Sequence, residues 1–462
     1  MTLESEINKL QTENPLGTEP IGKLLRRFAI PSCVSMIVNA LYNIVDQIFI
    51  GRGVGYLGNG ATSVILPLTV LAIGLSLLFG DGCAAFYSMR LGEGKKDEAA
   101  ASVGNAVLCS VVIGIVLGII CSVFLSPICW LTGSTEAIHP YAMDYGRVIA
   151  MGLPLVVFEA GMSSIIRADG SPKYSMAGLL AGCVINIVMD YIFVFPLDMG
   201  VRGAAIATVM GQAVNAVIFV FYFKRFRQVK MTKHIFRIRL SYVKRICQLG
   251  ISSFIIQMSV VVIMIVTNKL LVFHGASSKY GADIPLTAMG VTMKINNILI
   301  AIMNGIAAGA LPIIGFNYGA RNLDRVKKTI KMSVGVAMLC GVVATFFFQM
   351  FPEQIISIFG SESDLYVEFS VLCLRLFLMF CILDGMNNVI PTCFQAVGRP
   401  GYSALSSCLR QLILNIPPAV IVPIFVGVTG VLWNGPIACA AAFVINLFLI
   451  RKIFRDLERE MG

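Results

Sequence analysis

The sequence predicts an all-α polytopic membrane protein with twelve transmembrane helices in two related bundles of six. Three observations lead to this fold class. Hydrophobic residues make up 57% of the 462 residues and charged residues only 13%, whereas charged residues are roughly 25% of a soluble domain. The charges lie between apolar runs that are long enough to cross a bilayer as helices. Three short landmarks also recur in the same order in the two halves of the chain.

The landmarks recur at a nearly constant spacing. Residues 82–97 resemble 309–324, residues 166–172 resemble 394–400, and residues 200–204 resemble 427–431, at offsets of 227, 228 and 227 residues. One order at one spacing indicates a duplicated unit. Duplicated membrane halves that face each other across a cavity are common in transporters, so the sequence predicts a carrier that alternates access.

Twelve apolar runs have the length of a transmembrane helix. They are residues 29–50, 60–87, 103–125, 143–165, 174–196, 203–223, 249–273, 286–314, 331–351, 366–393, 402–426 and 431–450. The predicted domains are a cytoplasmic N-terminal segment (1–28), an N-terminal bundle (29–223), a cytoplasmic linker (224–248), a C-terminal bundle (249–450) and a cytoplasmic tail (451–462). Each bundle therefore holds six predicted spans.

The distribution of Lys and Arg predicts the orientation. If the N-terminus is cytoplasmic, 28 of the 36 basic residues lie on the cytoplasmic side, five lie within spans, and only Arg52, Arg202 and Lys279 lie outside. Positive charge accumulates on the cytoplasmic side of membrane proteins, so we expect both termini in the cytoplasm and the chain in a bacterial cytoplasmic (inner) membrane. The net charge of +11 then belongs to inner loops, and no nucleic-acid partner is expected.

The linker 224–248 is strongly basic, and residues 235–243 within it alternate basic and apolar side chains. Two interpretations of this pattern remain open. The segment is either an amphipathic element that lies on anionic lipid headgroups or a plain linker that follows the positive-inside rule.

No cofactor is expected. The thirteen Cys include no Cys-x-x-Cys pair and the three His are scattered, so neither a disulfide framework nor a metal cluster is predicted. The sequence contains no phosphate-binding loop of the kind that ATP-hydrolysing proteins use, and no enzymatic activity is predicted. The energy for transport must therefore come from an ion gradient, unless transport is passive or a partner supplies it.

Carboxylates inside transmembrane spans are costly, so by default they mark functional sites. Asp46 lies near the outer end of the first span and Asp190 near the outer end of the fifth. Asn186 lies one turn from Asp190 on the same helix face, and Thr208 lies early in the sixth span, which runs inward. At about 1.5 Å per residue, these four residues are predicted to lie at similar depth in the outer half of the membrane.

Two carboxylates, an amide oxygen and a hydroxyl suit a cation, either Na⁺ or a proton. The predicted cation site consists of Asp46, Asn186, Asp190 and Thr208. The other interpretation is that these groups only form hydrogen bonds that hold helices together. At the corresponding positions the second half carries Lys269 or Leu270, and Pro418, so we expect the site in one bundle only.

Several segments carry a resemblance to a known family. They are residues 42–51 (YNIVDQIFIG), 91–94 (LGEG), 167–172 (RADGSP), 186–190 (NIVMD) with 203–208 (GAAIAT), and 312–320 (PIIGFNYGA). Together with the duplication, they make residues 20–455 resemble the multidrug and toxic compound extrusion (MATE) transporters of the MepA-like branch. The resemblance implies two six-helix bundles around a V-shaped cavity, and cation-driven export of amphipathic, often cationic, organic compounds.

The resemblance also implies functional residues. The family's N-terminal cation site maps onto the four positions named above. Some branches place an acidic site in helices 7 and 8, but here those helices carry Lys269 and Lys294 and no acid. The residues expected to line the substrate cavity are Asn39, Tyr42, Asp81, Glu159, Met293, Asn297 and Asp384.

The charged residues among these have a second interpretation. Asp81 and Glu159 either attract cationic substrates or form ion pairs with basic residues of the second half, namely Lys294, Arg375 or Arg410. For Asp384 we expect an ion pair with Arg410 or Arg375.

The predicted function is a cation-coupled (H⁺ or Na⁺) antiporter of small organic molecules that works as a monomer in the lipid bilayer. One alternative is a flippase for a lipid-linked oligosaccharide or polysaccharide precursor, which has the same two-lobed architecture. A flippase would favour several cationic side chains in the cavity, and the candidates are Lys269, Lys294, Arg375 and Arg410. A carrier of one endogenous metabolite is a further alternative.

Overall fold

The computed structural model describes residues 14–281, 283–357 and 363–461. Within these ranges every regular element is a helix. Eleven helices are long and apolar enough to cross a membrane, or twelve if one bent pair of helices counts as a single span. The predicted all-α fold with twelve spans is therefore confirmed.

The twelve spans are labelled α1 to α12. Their bounds are Ile21–Gly53 (α1), Tyr56–Gly92 (α2), Lys96–Val123 (α3), His139–Ala168 (α4), Pro172–Val194 (α5), Gly200–Tyr222 (α6), Leu240–Ala276 (α7), Asp283–Gly319 (α8), Leu323–Met350 (α9), Asp364–Phe377 with Cys381–Ala396 (α10), Pro400–Val426 (α11) and Asn434–Met461 (α12). Short helices are Pro15–Thr18, Leu125–Leu131, Pro352–Ser357 and Val428–Leu432, with 3₁₀ turns at Phe223–Arg225 and Lys233–Phe236. We call α1 to α6 the N-lobe and α7 to α12 the C-lobe.

Several boundaries differ from those expected. The helix α1 begins at Ile21 and α7 at Leu240, so each starts eight or nine residues before its apolar run, and α12 continues through most of the expected tail. Hydropathy marks only the part of a helix that faces hydrocarbon, and these helices extend beyond it. The expected single span 366–393 is broken and bends by 52° between Phe377 and Cys381.

Two glycines mark a pseudo-twofold axis between the lobes. A Cβ atom on Gly92 of α2 would lie 2.0 Å from the carbonyl oxygen of Phe316, and one on Gly319 of α8 would lie 2.0 Å from that of Met89. Both residues of one contact lie 227 positions from their counterparts in the other. Only glycine allows this approach of two backbones, which is the usual role of small residues at helix interfaces in membranes.

The crossings of α1 with α8 and of α2 with α7 are related by the same axis. Gly309 lies against the backbone of Ala29, and Gly82 lies against the backbone of Ile246. Gly309 follows Gly82 by 227 residues, but Ile246 follows Ala29 by only 217. The first helix of each lobe therefore has a shorter offset, because ten more residues lie between Ile246 and the start of α8 than between Ala29 and the start of α2.

This offset corrects one detail of the sequence comparison. With an offset of 217 residues, the C-lobe counterpart of Asp46 is Ile263 rather than Lys269 or Leu270. The counterpart is still not an acid.

The lobes contact each other at the end of the molecule where α1 begins. The largest cluster of buried apolar residues contains members of both lobes there, whereas two smaller clusters toward the other end each belong to one lobe. Residues 14–20, which we call the strap, lie before α1 and add polar contacts. Arg325 of α9 donates to the carbonyls of Leu16 (3.0 Å) and Glu19 (2.8 Å), and Asn14 donates to Gln228 of the linker (3.0 Å).

We expect Gly250→Ala to open this end of the molecule. A Cβ on Gly250 would lie 1.8 Å from the carbonyl oxygen of Leu78, so α2 and α7 must move apart. Genetically encoded spin labels at the exposed Lys96 and Asp324 should report a longer distance than in the wild type. The control is Gly335→Ala, where a Cβ meets no atom within 4 Å; an unchanged distance in Gly250→Ala would show that this contact does not set the packing of the lobes.

Candidate functional site

Asp46 and Asp190 lie side by side inside the N-lobe. Their side chains are buried, with 9% and 0% of the residue surface exposed, and their carboxyl groups are close enough to share a hydrogen bond. One oxygen of each, Oδ1, has no hydrogen-bond donor among the described residues. Two carboxylates in one buried pocket cannot both ionise cheaply, so the pair requires a positive ion or a shared proton.

Asn186 and Thr208 complete this cluster. The Asn186 amide is satisfied when its nitrogen donates to Asp190 Oδ2 at 3.2 Å and its oxygen accepts from the backbone N–H of Thr208 at 3.1 Å. Both residues are buried. The structure therefore brings together all four residues of the predicted cation site from α1, α5 and α6, and we call them the N-lobe cluster.

Two tyrosines border the N-lobe cluster. Tyr145 of α4 lies beside Thr208 and close to both carboxylates. Tyr42 of α1 lies near these carboxylates and near Glu159. Sequence reasoning missed Tyr145 because tyrosines are common in spans and nothing in the sequence shows that α4 packs against α1.

A cavity of about 370 Å³ lies between the lobes. Of the expected residues, Asn39, Tyr42, Asp81 and Glu159 line it. The N-lobe cluster lies behind the cavity wall, because none of its four residues lines the cavity whereas the nearby Tyr42 does.

The other three expected residues do not line this cavity. Met293 packs against the apolar cluster of the C-lobe, and Asn297 is exposed. Asp384 bonds Arg410, which lines the cavity in its place. The helix α8 reaches the cavity two turns later, at Asn304 and Leu311. The expected cavity residues of α8, Met293 and Asn297, lie too close to the start of that helix, because the sequence does not show where the lobes cross.

The two cavity carboxylates of the N-lobe have different surroundings. Asp81 accepts hydrogen bonds from Ser164 (2.7 Å) and, across the lobe interface, from Ser253 of α7 (2.9 Å). Glu159 has Asn215 as its polar neighbour, and its Oε2 atom is buried without a hydrogen-bond partner in the part of the chain that the structure describes. Neither acid forms an ion pair with the basic residues considered from the sequence.

Asp384 does form an ion pair, and its partner is Arg410. Arg410 Nη2 lies 2.7 Å from Asp384 Oδ1, and Arg410 Nη1 donates to Asn388 at 3.0 Å. Arg410 lines the cavity from a π-helical turn, Leu409–Ile413, within α11. The other three basic candidates of the second half, Lys269, Lys294 and Arg375, are exposed and lie outside the cavity wall.

Asp169, in the turn after α4, is a buried acid that the sequence analysis did not single out. It accepts hydrogen bonds from Tyr87 (2.5 Å), Tyr222 (2.6 Å) and the backbone N–H groups of Arg227 (2.8 Å) and Gln228 (3.1 Å). Burial raises the pKa of Asp169, while these four bonds oppose the rise. The carboxylate fixes the start of the linker to the N-lobe. The motif at 167–172, which contains Asp169, is the sequence feature that could have identified this residue.

This architecture, with a duplicated bundle, a central cavity and a polar cluster in one lobe, is that of a membrane transporter. The family model for MatE matches residues 31–192 and 249–421. The chain belongs to the MatE family of transporters, and it is a multi-pass membrane protein.

Particular relatives agree with this assignment. The multidrug export protein MepA of Staphylococcus aureus (strain MSSA476) is 25% identical over 439 residues, which cover 94% of each chain. A solved multidrug resistance MATE transporter in an outward-facing conformation has a TM-score of 0.89 at 23% identity, covering 97% of this chain and 98% of that one. A MOP superfamily transporter from Pyrococcus furiosus, described for the reversed polarity of its binding pocket, has the same TM-score at 22% identity and the same coverage.

We expect Asp169→Asn to destabilise the protein. The amide nitrogen would face donors that now bond a carboxylate oxygen, and a buried donor left without an acceptor costs about 1–3 kcal/mol. Thermal unfolding in detergent should show a lower Tm than the wild type. Asp97→Asn at the exposed start of α3 is the matched control, and equal Tm values for both variants would contradict the anchoring role.

Proposed function

We propose that this protein is a cation-coupled antiporter, driven by H⁺ or Na⁺, that exports amphipathic and often cationic organic compounds across a bacterial cytoplasmic membrane. The observation that carries the proposal is the contact between Asp46 and Asp190 in the N-lobe. The similarity to MepA proteins, which are multidrug export proteins, supports the substrate class.

The coupling follows from the charge of the N-lobe cluster. An incoming cation removes the repulsion within the buried pair, so the pocket relaxes and α1 can bend at Pro31, inside the helix. Tyr42 can transmit this change to the cavity because it lines the cavity and lies near the pair and near Glu159. The substrate leaves to the outside, the carrier turns inward with the cation bound, and the cation is released there.

The cavity suits a cationic substrate. Glu159 offers a carboxylate oxygen without a partner among the described residues. Asp81 accepts from two hydroxyl groups, one of which, on Ser164, also accepts from the buried Arg167 of the cavity wall. A positively charged ligand would compensate Glu159. The flippase alternative receives less support, because only Arg410 of its four basic candidates lines the cavity and Asp384 already compensates that charge.

The orientation proposed from the basic residues places both termini in the cytoplasm. The lobes meet at the end of the molecule where α1 begins. With this orientation the structure is closed toward the cytoplasm, which is the state in which an exporter releases its substrate and takes up its cation.

We expect Asp190→Asn to abolish gradient-driven efflux while the protein still folds. The variant keeps the shape of the side chain but removes one of the two charges that hold the cation. Substrate efflux is measured in proteoliposomes, first under an imposed pH gradient and then under a Na⁺ gradient.

The control for this experiment is Asp198→Asn. Asp198 is exposed in the loop after the same helix, and asparagine tolerates its positive φ of 47°. This variant should transport like the wild type. Full gradient-coupled efflux by Asp190→Asn would refute the proposed coupling.

We expect Glu159→Gln to weaken the binding of cationic substrates. Loss of a charge-assisted hydrogen bond costs about 1.5–3 kcal/mol, so Kd should rise roughly ten- to a hundred-fold. Binding is measured by calorimetry with a primary ammonium compound and with a neutral compound of the same shape. If both ligands lose affinity equally, Glu159 shapes the cavity but does not recognise charge.

A further inference from the structure

Residues 235–240, from the end of the 3₁₀ turn to the first residue of α7, run along the side of the N-lobe. Asn105 of α3 holds them in place, since its amide donates to the carbonyl of Arg237 (3.2 Å) and accepts from the backbone N–H of Arg239 (2.7 Å). Ile235 is buried, and its carbonyl lies so close to Gly104 that a Cβ there would be 2.2 Å away. The segment is therefore fixed to α3 and is not a loose tether.

The attachment point sets the depth of the segment in the membrane. Gly104 and Asn105 follow the start of α3 at Lys96 by eight and nine residues, which is about 12–14 Å along the helix. The apolar run of α3 begins at residue 103. The segment therefore lies level with the boundary between lipid headgroups and acyl chains.

The exposed side of the segment is apolar at alternate positions. Phe236, Ile238 and Leu240 are 45%, 59% and 82% exposed. Arg237 and Arg239, between them, are also exposed. Asn105 bonds the backbone on both sides of Ile238, so the chain is extended there and successive side chains point in opposite directions. One row can enter the lipid while the guanidinium groups reach the headgroups.

The charge of the surrounding linker identifies the partner. Residues 224–248 contain no Asp or Glu. Exposed basic residues elsewhere in the linker are Lys224, Arg225, Arg227, Lys230 and Lys244. A surface that combines this charge with an apolar row at this depth fits an anionic phospholipid, since each basic residue near such a surface adds to the attraction.

We propose that residues 235–240 are a binding site for anionic phospholipid headgroups, with Ile238 and Leu240 inserted at the acyl boundary. The site is separate from the cavity and from the N-lobe cluster, and it does not depend on how transport is coupled. It gives the linker a role beyond joining the lobes, because it fixes the junction between α6 and α7 to the membrane surface.

The test compares lipid retention in two double variants. Arg237→Gln/Arg239→Gln removes the charges, and Ile238→Ser/Leu240→Ser removes the apolar row; both leave the backbone bonds to Asn105 intact. Each protein is placed in nanodiscs of phosphatidylcholine mixed with phosphatidylglycerol, and bound lipids are counted by native mass spectrometry after mild release. We expect the wild type to retain phosphatidylglycerol selectively and each variant to lose that selectivity by about ten-fold or more.

The matched control is Arg451→Gln/Arg455→Gln, which removes two exposed charges from α12 and should keep the selectivity. Unfolding in detergent without added lipid should show that all the variants are folded. Unchanged selectivity in both segment variants would overturn the proposal, because the lipid would then bind elsewhere on the protein. An equal loss in the control would also overturn it, because net charge would then determine lipid retention.

Discussion

The contact between Asp46 and Asp190 is the constraint on which the mechanism depends. Two acids buried together in a membrane helix bundle repel each other unless a cation or a proton lies between them. The surrounding residues do not stabilise both carboxylates. Asn186 bonds one oxygen of Asp190, but Oδ1 of each acid is left without a protein donor among the described residues. A pair that requires a cation in one state and releases it in another can link an ion gradient to a change of shape.

The two lobes provide that change of shape. Glycines on α2 and α8 let backbones touch about a pseudo-twofold axis, and the strap before α1 joins the lobes through Arg325. The hydrogen bond from Ser253 to Asp81 crosses the same interface at the cavity wall. These contacts all belong to one end of the molecule, so they must break together when that end opens. The intralobe contacts, such as those of Asp169, can remain intact during the movement.

Much of the fold and the composition of the N-lobe cluster could be predicted from the sequence. Apolar runs and the duplication predicted the twelve spans, and counting residues from the helix ends predicted the depth of the four residues in the N-lobe cluster. Contacts between helices could not be predicted in this way. Tyr145 and the break in α10 depend on packing. Met293 and Asn297 were assigned to the cavity although they lie two turns or more before the part of α8 that lines it. For Asp384, the sequence offered two arginines, and only the fold selects Arg410.

The most direct measurement of the central claim is cation exchange by the purified protein when a substrate binds. A pH-indicator dye in weak buffer, or a Na⁺-selective electrode, records the ions released on addition of an organic cation. The account predicts that the wild type releases about one proton or one Na⁺ per bound substrate molecule, and that the apparent affinity for the substrate falls as the cation concentration rises. Substrate binding that releases no cation, with an affinity independent of pH and Na⁺, would contradict it.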